Sequence, residues 1–210
     1  MAQKLTIFGA FAEVIYVMHV WVGGMLWEGY SHLHQPISDL TALGAPDRFL
    51  LTGMTILYGI LTIIFAVSAY IYIKGFAPKI SRIGMMLLLA MFLLSITYNL
   101  FPQDLPGGPV TFRGVMHLVV TALIIPLTIA APILVGIGMR RIDGFRKYGN
   151  YSVATGILIL IFGGIAAVFF ANQLPYFGLV ERLNIGALQL WMLVSSIQFF
   201  SMKTPIRKLA

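Results

Sequence analysis

The stretch Asn99-Leu-Phe-Pro-Gln-Asp-Leu-Pro-Gly-Gly-Pro-Val-Thr-Phe-Arg113-Gly-Val-Met-His117 decides how the chain is read. It separates two long apolar runs, and Pro106, Gly107, Gly108 and Pro109 predict a turn within it. A chain of this kind leaves a membrane near Phe101 and re-enters it at Arg113. One loop therefore collects Asn99, Asp104, Arg113 and His117. Arg113 and His117 are four positions apart, so on a helix they share a face, with His117 one turn deeper.

Outward from this loop, composition settles the class. The chain has 210 residues, of which 59% are hydrophobic and 10% charged; soluble domains carry about 25% charged residues. Six apolar runs are each long enough for a bilayer core of about 30 Å. They read Leu5–Trp27, Phe49–Ile73, Ile83–Leu100, Val115–Met139, Tyr151–Ala171 and Ile185–Met202. The fold class is all-α, a polytopic six-transmembrane-helix bundle forming a single domain over residues 1–210. The first run is too long for a signal-peptide core and lacks a small-x-small cleavage pattern. There is no cysteine, which excludes disulfides and thiolate ligands.

The net charge of +7 would suit a nucleic-acid partner, but the placement of the charges argues against one. Lys4, Lys74, Lys79, Arg82, Arg140, Arg141, Arg146, Lys147, Lys203, Arg207 and Lys208 all fall on one side, which makes eleven of the fourteen basic residues. Arg48, Arg113 and Arg182 begin helices on the other side. The positive-inside rule predicts cytoplasmic termini and a cell (inner or plasma) membrane location. Five of the seven acids, Glu28, Asp39, Asp47, Asp104 and Glu181, lie on the opposite, outer side.

Two ionisable residues sit inside the first run, Glu13 and His19. Such groups are costly at membrane depth and are expected to face the bundle interior. Six positions apart, they do not share a helix face. The first outer loop, from Glu28 to Asp47, is the longest connection. Its His32 and His34 alternate, so an extended segment would aim both at one metal; the plainer reading is a solvated polar loop. Ser38 is expected to cap a short re-entrant or interfacial helix. Gly53, Gly59, Gly84, Gly156, Gly163 and Gly164 suit close helix packing, and Pro126 and Pro132 should kink the fourth helix.

The outer residues admit three readings. As acid/base groups, Asp104, His117 and Glu181 with Ser38 as nucleophile would make a lipid hydrolase. As a binding cleft, Asp39, Asn99, Arg113, Arg182 and Asn184 would hold a lipid headgroup or a small anionic solute. As structure, Asp39 or Asp47 would pair with Arg48, Asp104 with Arg113, and Glu181 with Arg182 or Arg113. No G-x-S-x-G or H-E-x-x-H motif is present, which weighs against the enzyme. Nothing in the sequence names a cofactor. The partners expected are membrane lipids, with a homo-oligomer or another membrane protein beside them.

Ser38-Asp39-Leu40 before Ala45-Pro46, then Phe101-Pro102 and Asp104, His117, Glu181-Arg182 and Trp191 together resemble a bacterial and archaeal six-helix membrane family of unknown function. That family is distantly similar to DRAM/FRAG-like eukaryotic membrane proteins. The resemblance implies a six-helix bundle and supplies no activity; some distant relatives are linked to lipid handling. The His32, His34 pair is outside the matching pattern.

Overall fold

The computed structural model describes residues 1–202; Lys203, Arg207 and Lys208, counted in the charge argument, lie outside the described residues. Six helices are long and apolar enough to cross a membrane: α1 Ala2–Leu26, α2 Arg48–Lys74, α3 Lys79–Asn99, α4 Phe112–Met139, α5 Arg146–Ala171 and α6 Phe177–Ser201. The remaining regular element is a short 3₁₀ helix, Ile37–Thr41, between α1 and α2. Each long helix packs against its predecessor and α6 returns to α1, which closes a ring. Gln3 Nε2 donates to the Phe199 carbonyl (3.1 Å), so both ends of the described chain meet on one face, here the terminal face. The long first loop folds over the other, the capped face.

Backbone satisfaction explains where the helices start. Thr111 caps α4 by accepting from the Gly114 N–H (3.1 Å). At α6 the cap comes from a distant loop: the carbonyls of His34 and Leu33 accept from the N–H groups of Gly178 (3.3 Å) and Leu179 (3.0 Å). With its first donors satisfied this way, α6 starts at Phe177, ahead of the expected Ile185. Gly178 permits the approach, since a Cβ there would lie 2.4 Å from the Gln35 carbonyl. Ser38 caps nothing; Pro36 precedes the 3₁₀ helix, which has no side-chain cap.

The terminal half holds the larger core, built around Phe65, Met139, Phe145, Trp191 and Phe199. Its polar groups are paired inside the bundle. Trp191 Nε1 donates to Ser152 Oγ (2.9 Å), and the hydroxyls of Tyr148 and Ser195 are 2.8 Å apart. Ser196 interrupts α1: its hydroxyl donates to the Thr6 carbonyl (2.6 Å) and accepts from the Ala10 N–H (2.9 Å). A side chain inserted into the i to i−4 ladder is a sufficient cause for the break between Leu5 and Phe8. Close approach occurs at Gly84, where a Cβ would stand 2.7 Å from the Val135 nitrogen. Gly53, Gly59 and Gly164 have open space instead, so the packing role expected of them does not hold. The capped half has only a small cluster, Ile37, Leu40 and Leu51.

Candidate functional site beneath the cap

The first loop is bound to α6 through charged side chains that serve backbone groups. Arg182 donates from Nη1 to the carbonyls of Gln35 (2.8 Å) and Gly178 (2.9 Å), and from Nη2 to the Tyr30 hydroxyl (2.6 Å). The Tyr30 hydroxyl in turn donates a hydrogen bond to the Pro36 carbonyl (2.8 Å). Burial pushes the Tyr30 hydroxyl up to about 12, partly offset by the Arg182 charge. Glu181 accepts from the Ile37 N–H (2.7 Å) at the start of the 3₁₀ helix.

Asp39 lies at the centre of this cap, fully buried. Gln103 joins it to the second outer loop, donating to Asp39 Oδ1 (2.8 Å) while its carbonyl accepts from the Ser38 hydroxyl (2.5 Å). Asp39 Oδ2 has no hydrogen-bond partner. Burial raises this carboxyl to about 6, with the Gln35 and Gln103 amides and the Arg182 charge restraining the rise.

Asp104 is the opposite case. Its oxygens accept from the Thr111 N–H (2.8 Å) and hydroxyl (2.7 Å), which hold it below the usual carboxylate range. Gly114 leaves room for it, since a Cβ there would overlap the carboxylate. His117, one turn further along, bonds through Nδ1 to the Phe101 carbonyl (2.9 Å). A carbonyl only accepts, so the proton is on Nδ1. The ring lies 4.6 Å from that of Tyr98.

The expected constellation is therefore divided. Ser38 faces an amide and has no base, His117 bonds a backbone carbonyl, and neither Asp104 nor Glu181 bonds either of them. The expected ion pairs do not form. Arg48 donates to the Thr41 carbonyl (3.2 Å), and Glu181 and Arg182 face different backbone groups. Arg113 is exposed. Asn99 bonds its own helix at the Ile96 carbonyl, and Asn184 ties α6 to α5 at the Ile159 carbonyl (2.7 Å). The reason is shared: loops that bridge helix ends carry many unsatisfied backbone groups, and the nearby charged side chains satisfy those first. His32 and His34 do not converge. His32 packs against Gly24, Trp21 and Tyr30, whereas His34 stacks on Tyr176 at 4.8 Å. Among the described residues no group of three or more His, Cys, Asp or Glu could hold a metal ion.

Below the cap, Glu13 and His19 both point into the bundle, 5% and 3% exposed. Neither ring nitrogen of His19 has a partner. Glu13 meets Gln189 from α6 and, through it, Tyr58 from α2. Sequence reading passed over Gln189, Tyr58, Gln103 and Tyr30. Gln189 did carry a signal, being an amide in the apolar middle of α6; the others look like ordinary interfacial or loop residues.

On the outside of the ring, α5 and α6 leave a groove of about 270 Å³. It is lined by Tyr151, Thr155 and Leu158 on α5 and by Arg182, Gly186 and Leu190 among others on α6. Arg182 Nε and the Tyr151 hydroxyl are buried without partners. A wider recess of about 620 Å³ beside Gly44 and Phe49 is framed by one contiguous stretch, Gly44 to Leu50. It brings no distant residues together.

Residues 10–198 match the model of a family described as a protein of unknown function (DUF998). No curated protein and no solved structure matches.

Proposed function

We propose that this chain, which belongs to the DUF998 family, is a multi-pass membrane protein that holds a lipid, its acyl chain in the α5–α6 groove and its anionic headgroup at Arg182. The observation that carries this is the groove itself, an apolar notch between two membrane-length helices with a guanidinium in its lining. Gly186 leaves the notch open, with nothing within 4 Å of where its Cβ would stand. An acyl chain gains no hydrophobic energy by moving from bilayer to groove, because lipid tails are as apolar as leucine. Selectivity then rests on shape and on the headgroup. Arg182 Nε is without a partner, and a charge-assisted hydrogen bond contributes about 1.5–3 kcal/mol.

The segregation of basic residues supports a cell-membrane location with the terminal face toward the cytoplasm. The groove then lies in the outer leaflet at its Arg182 end. Hydrolysis by Ser38, Asp104, His117 and Glu181 gains nothing from the geometry, since no base reaches the serine.

The test is native mass spectrometry of purified protein after exchange into mixed phosphatidylglycerol and phosphatidylcholine nanodiscs. The wild type should retain the anionic lipid. Gly186→Leu, which fills the notch, and Arg182→Lys, which keeps the charge but loses Nε together with the cap bonds of Nη1 and Nη2, should each weaken retention about tenfold, which corresponds to about 1.4 kcal/mol. Equal retention of both lipids, unchanged by Gly186→Leu, would overturn the proposal.

A further inference from the structure

We propose that Glu13, Gln189 and Tyr58 form a single-proton site at mid-membrane depth, in which the Gln189 amide turns end for end as Glu13 gains or loses its proton. This site is separate from the lipid groove and does not depend on it.

The geometry is a three-helix meeting around one carboxyl group. One end of the Gln189 amide lies 2.9 and 2.7 Å from the two Glu13 oxygens and 3.2 Å from the Tyr58 hydroxyl. The other end lies 3.1 Å from the same hydroxyl. An amide has an accepting end and a donating end of nearly equal shape, while a tyrosine hydroxyl both donates and accepts. Two complete arrangements follow. With Glu13 protonated, its O–H donates to Gln189 Oε1, and Gln189 Nε2 donates to the Tyr58 oxygen. With Glu13 ionised, Nε2 turns toward the carboxylate and donates to it, and the Tyr58 O–H donates to Oε1. Tyr58 keeps its proton throughout and exchanges only its role. The proton given up by Glu13 passes to water.

The surroundings make the proton the fitting ligand. On α1, Tyr16 and His19 lie on the capped side of Glu13. From α2 comes Tyr58, with its ring 5.1 Å from that of Tyr16. From α6 come Gln189 and, nearer the cap, Glu181 and Arg182, both of which act electrostatically on Tyr16. The cap contributes Asp39. Arg182 is committed to Gln35, Gly178 and Tyr30, and no cation contacts Glu13 among the described residues. A buried carboxylate without a counter-ion is costly, so neutralisation by a proton is the economical state. The amide makes the ionised state accessible as well, because it can supply a donor where a fixed acceptor would repel. A switch of this kind gives the bundle a two-state element that reads protonation.

Infrared difference spectra of the purified protein in nanodiscs, stepped from acid to alkaline pH, test this with isotope-labelled glutamine side chains. The expected result is loss of a carboxylic-acid carbonyl band together with a change in the glutamine amide band. In Glu13→Gln, which is nearly isosteric, both should shrink by the share that belongs to Glu13, while Asp39 and its Gln103 donor supply the remainder. In Gln189→Leu the Glu13 carboxylic band should remain and still titrate, without the part of the amide change that depends on Glu13. Its midpoint should move to higher pH, a gain in proton affinity of about tenfold, because the donor to the carboxylate is gone. The proposal fails if the wild type and Glu13→Gln give the same carboxylic band change. It also fails if Gln189→Leu gives the same amide change as the wild type.

Discussion

The two halves of the bundle treat buried polar groups differently. In the terminal half, Trp191 meets Ser152, Tyr148 meets Ser195, and Ser196 fills a gap in the backbone ladder of α1. These pairs sit among large, fully buried side chains. The capped half has a smaller core and more unfinished chemistry. Of the six buried side-chain atoms without a partner among the described residues, four belong to it: both His19 nitrogens, Asp39 Oδ2 and Arg182 Nε. Pairing polar groups stabilises a bundle, whereas leaving them unpaired costs about 1–3 kcal/mol each. The contrast places the paired polar groups and the larger core in the terminal half and most of the unpaired polar atoms beneath the cap.

The largest effect expected from this division is on Trp191. Trp191→Ala removes a fully buried ring and leaves Ser152 without its donor, so it should cost about 3–5 kcal/mol, read as a large fall in melting temperature in detergent. Retention of anionic lipid by the folded fraction should be unaffected. If His19→Leu, in the capped half, cost as much, the division would be wrong.

A paired glycine experiment sharpens the same point. Gly84→Ala puts a methyl against the α4 backbone, 2.7 Å from the Val135 nitrogen, where nothing can rotate away. It should destabilise by about 1–3 kcal/mol. Gly53→Ala, near the capped end of α2 with nothing in reach, should be neutral or stabilising by up to about 1 kcal/mol. Equal melting temperatures for the two variants would mean that helix contact at Gly84 is not what holds the terminal half.

The smallest effect is a matter of pH and lies within the capped face. Asp39, raised from 3.8 to about 6, binds its proton more tightly folded than unfolded. Its contribution is fully present below about pH 4 and is lost as pH rises through about 6. Asp104, lowered by Thr111, contributes in the opposite sense, above its ordinary value and less as pH falls. Hydrogen exchange of residues 37–41 should therefore speed up as pH rises through about 6, after correction for intrinsic rates, and Asp39→Asn should remove that step. A step that survives in Asp39→Asn would assign the effect to another group.

Much of the fold was legible in the chain. Six spans could be read because hydropathy sums over about twenty residues per helix, so single polar exceptions do not hide the signal. Glu13 and His19 were readable as inward-facing for the same reason, since an ionisable group has few tolerable positions in a lipid-facing bundle. The start of α6 was misread because Glu181 and Arg182 look like loop residues until Leu33 and His34 arrive to cap the helix.

The candidate site was less legible, because its partners are far apart in sequence. Asp104 and Arg113 share a loop, yet Thr111 takes the carboxylate because it supplies two donors at once. Glu13 meets Gln189 and Tyr58 only because α1, α2 and α6 close the ring at that depth. Composition and spacing therefore determined the class, the number of spans and which charges lie near which ends, since these depend on sums along the chain. Which donor meets which acceptor was decided by tertiary structure alone, because hydrogen bonds act over about 3 Å and that distance is set by helix packing.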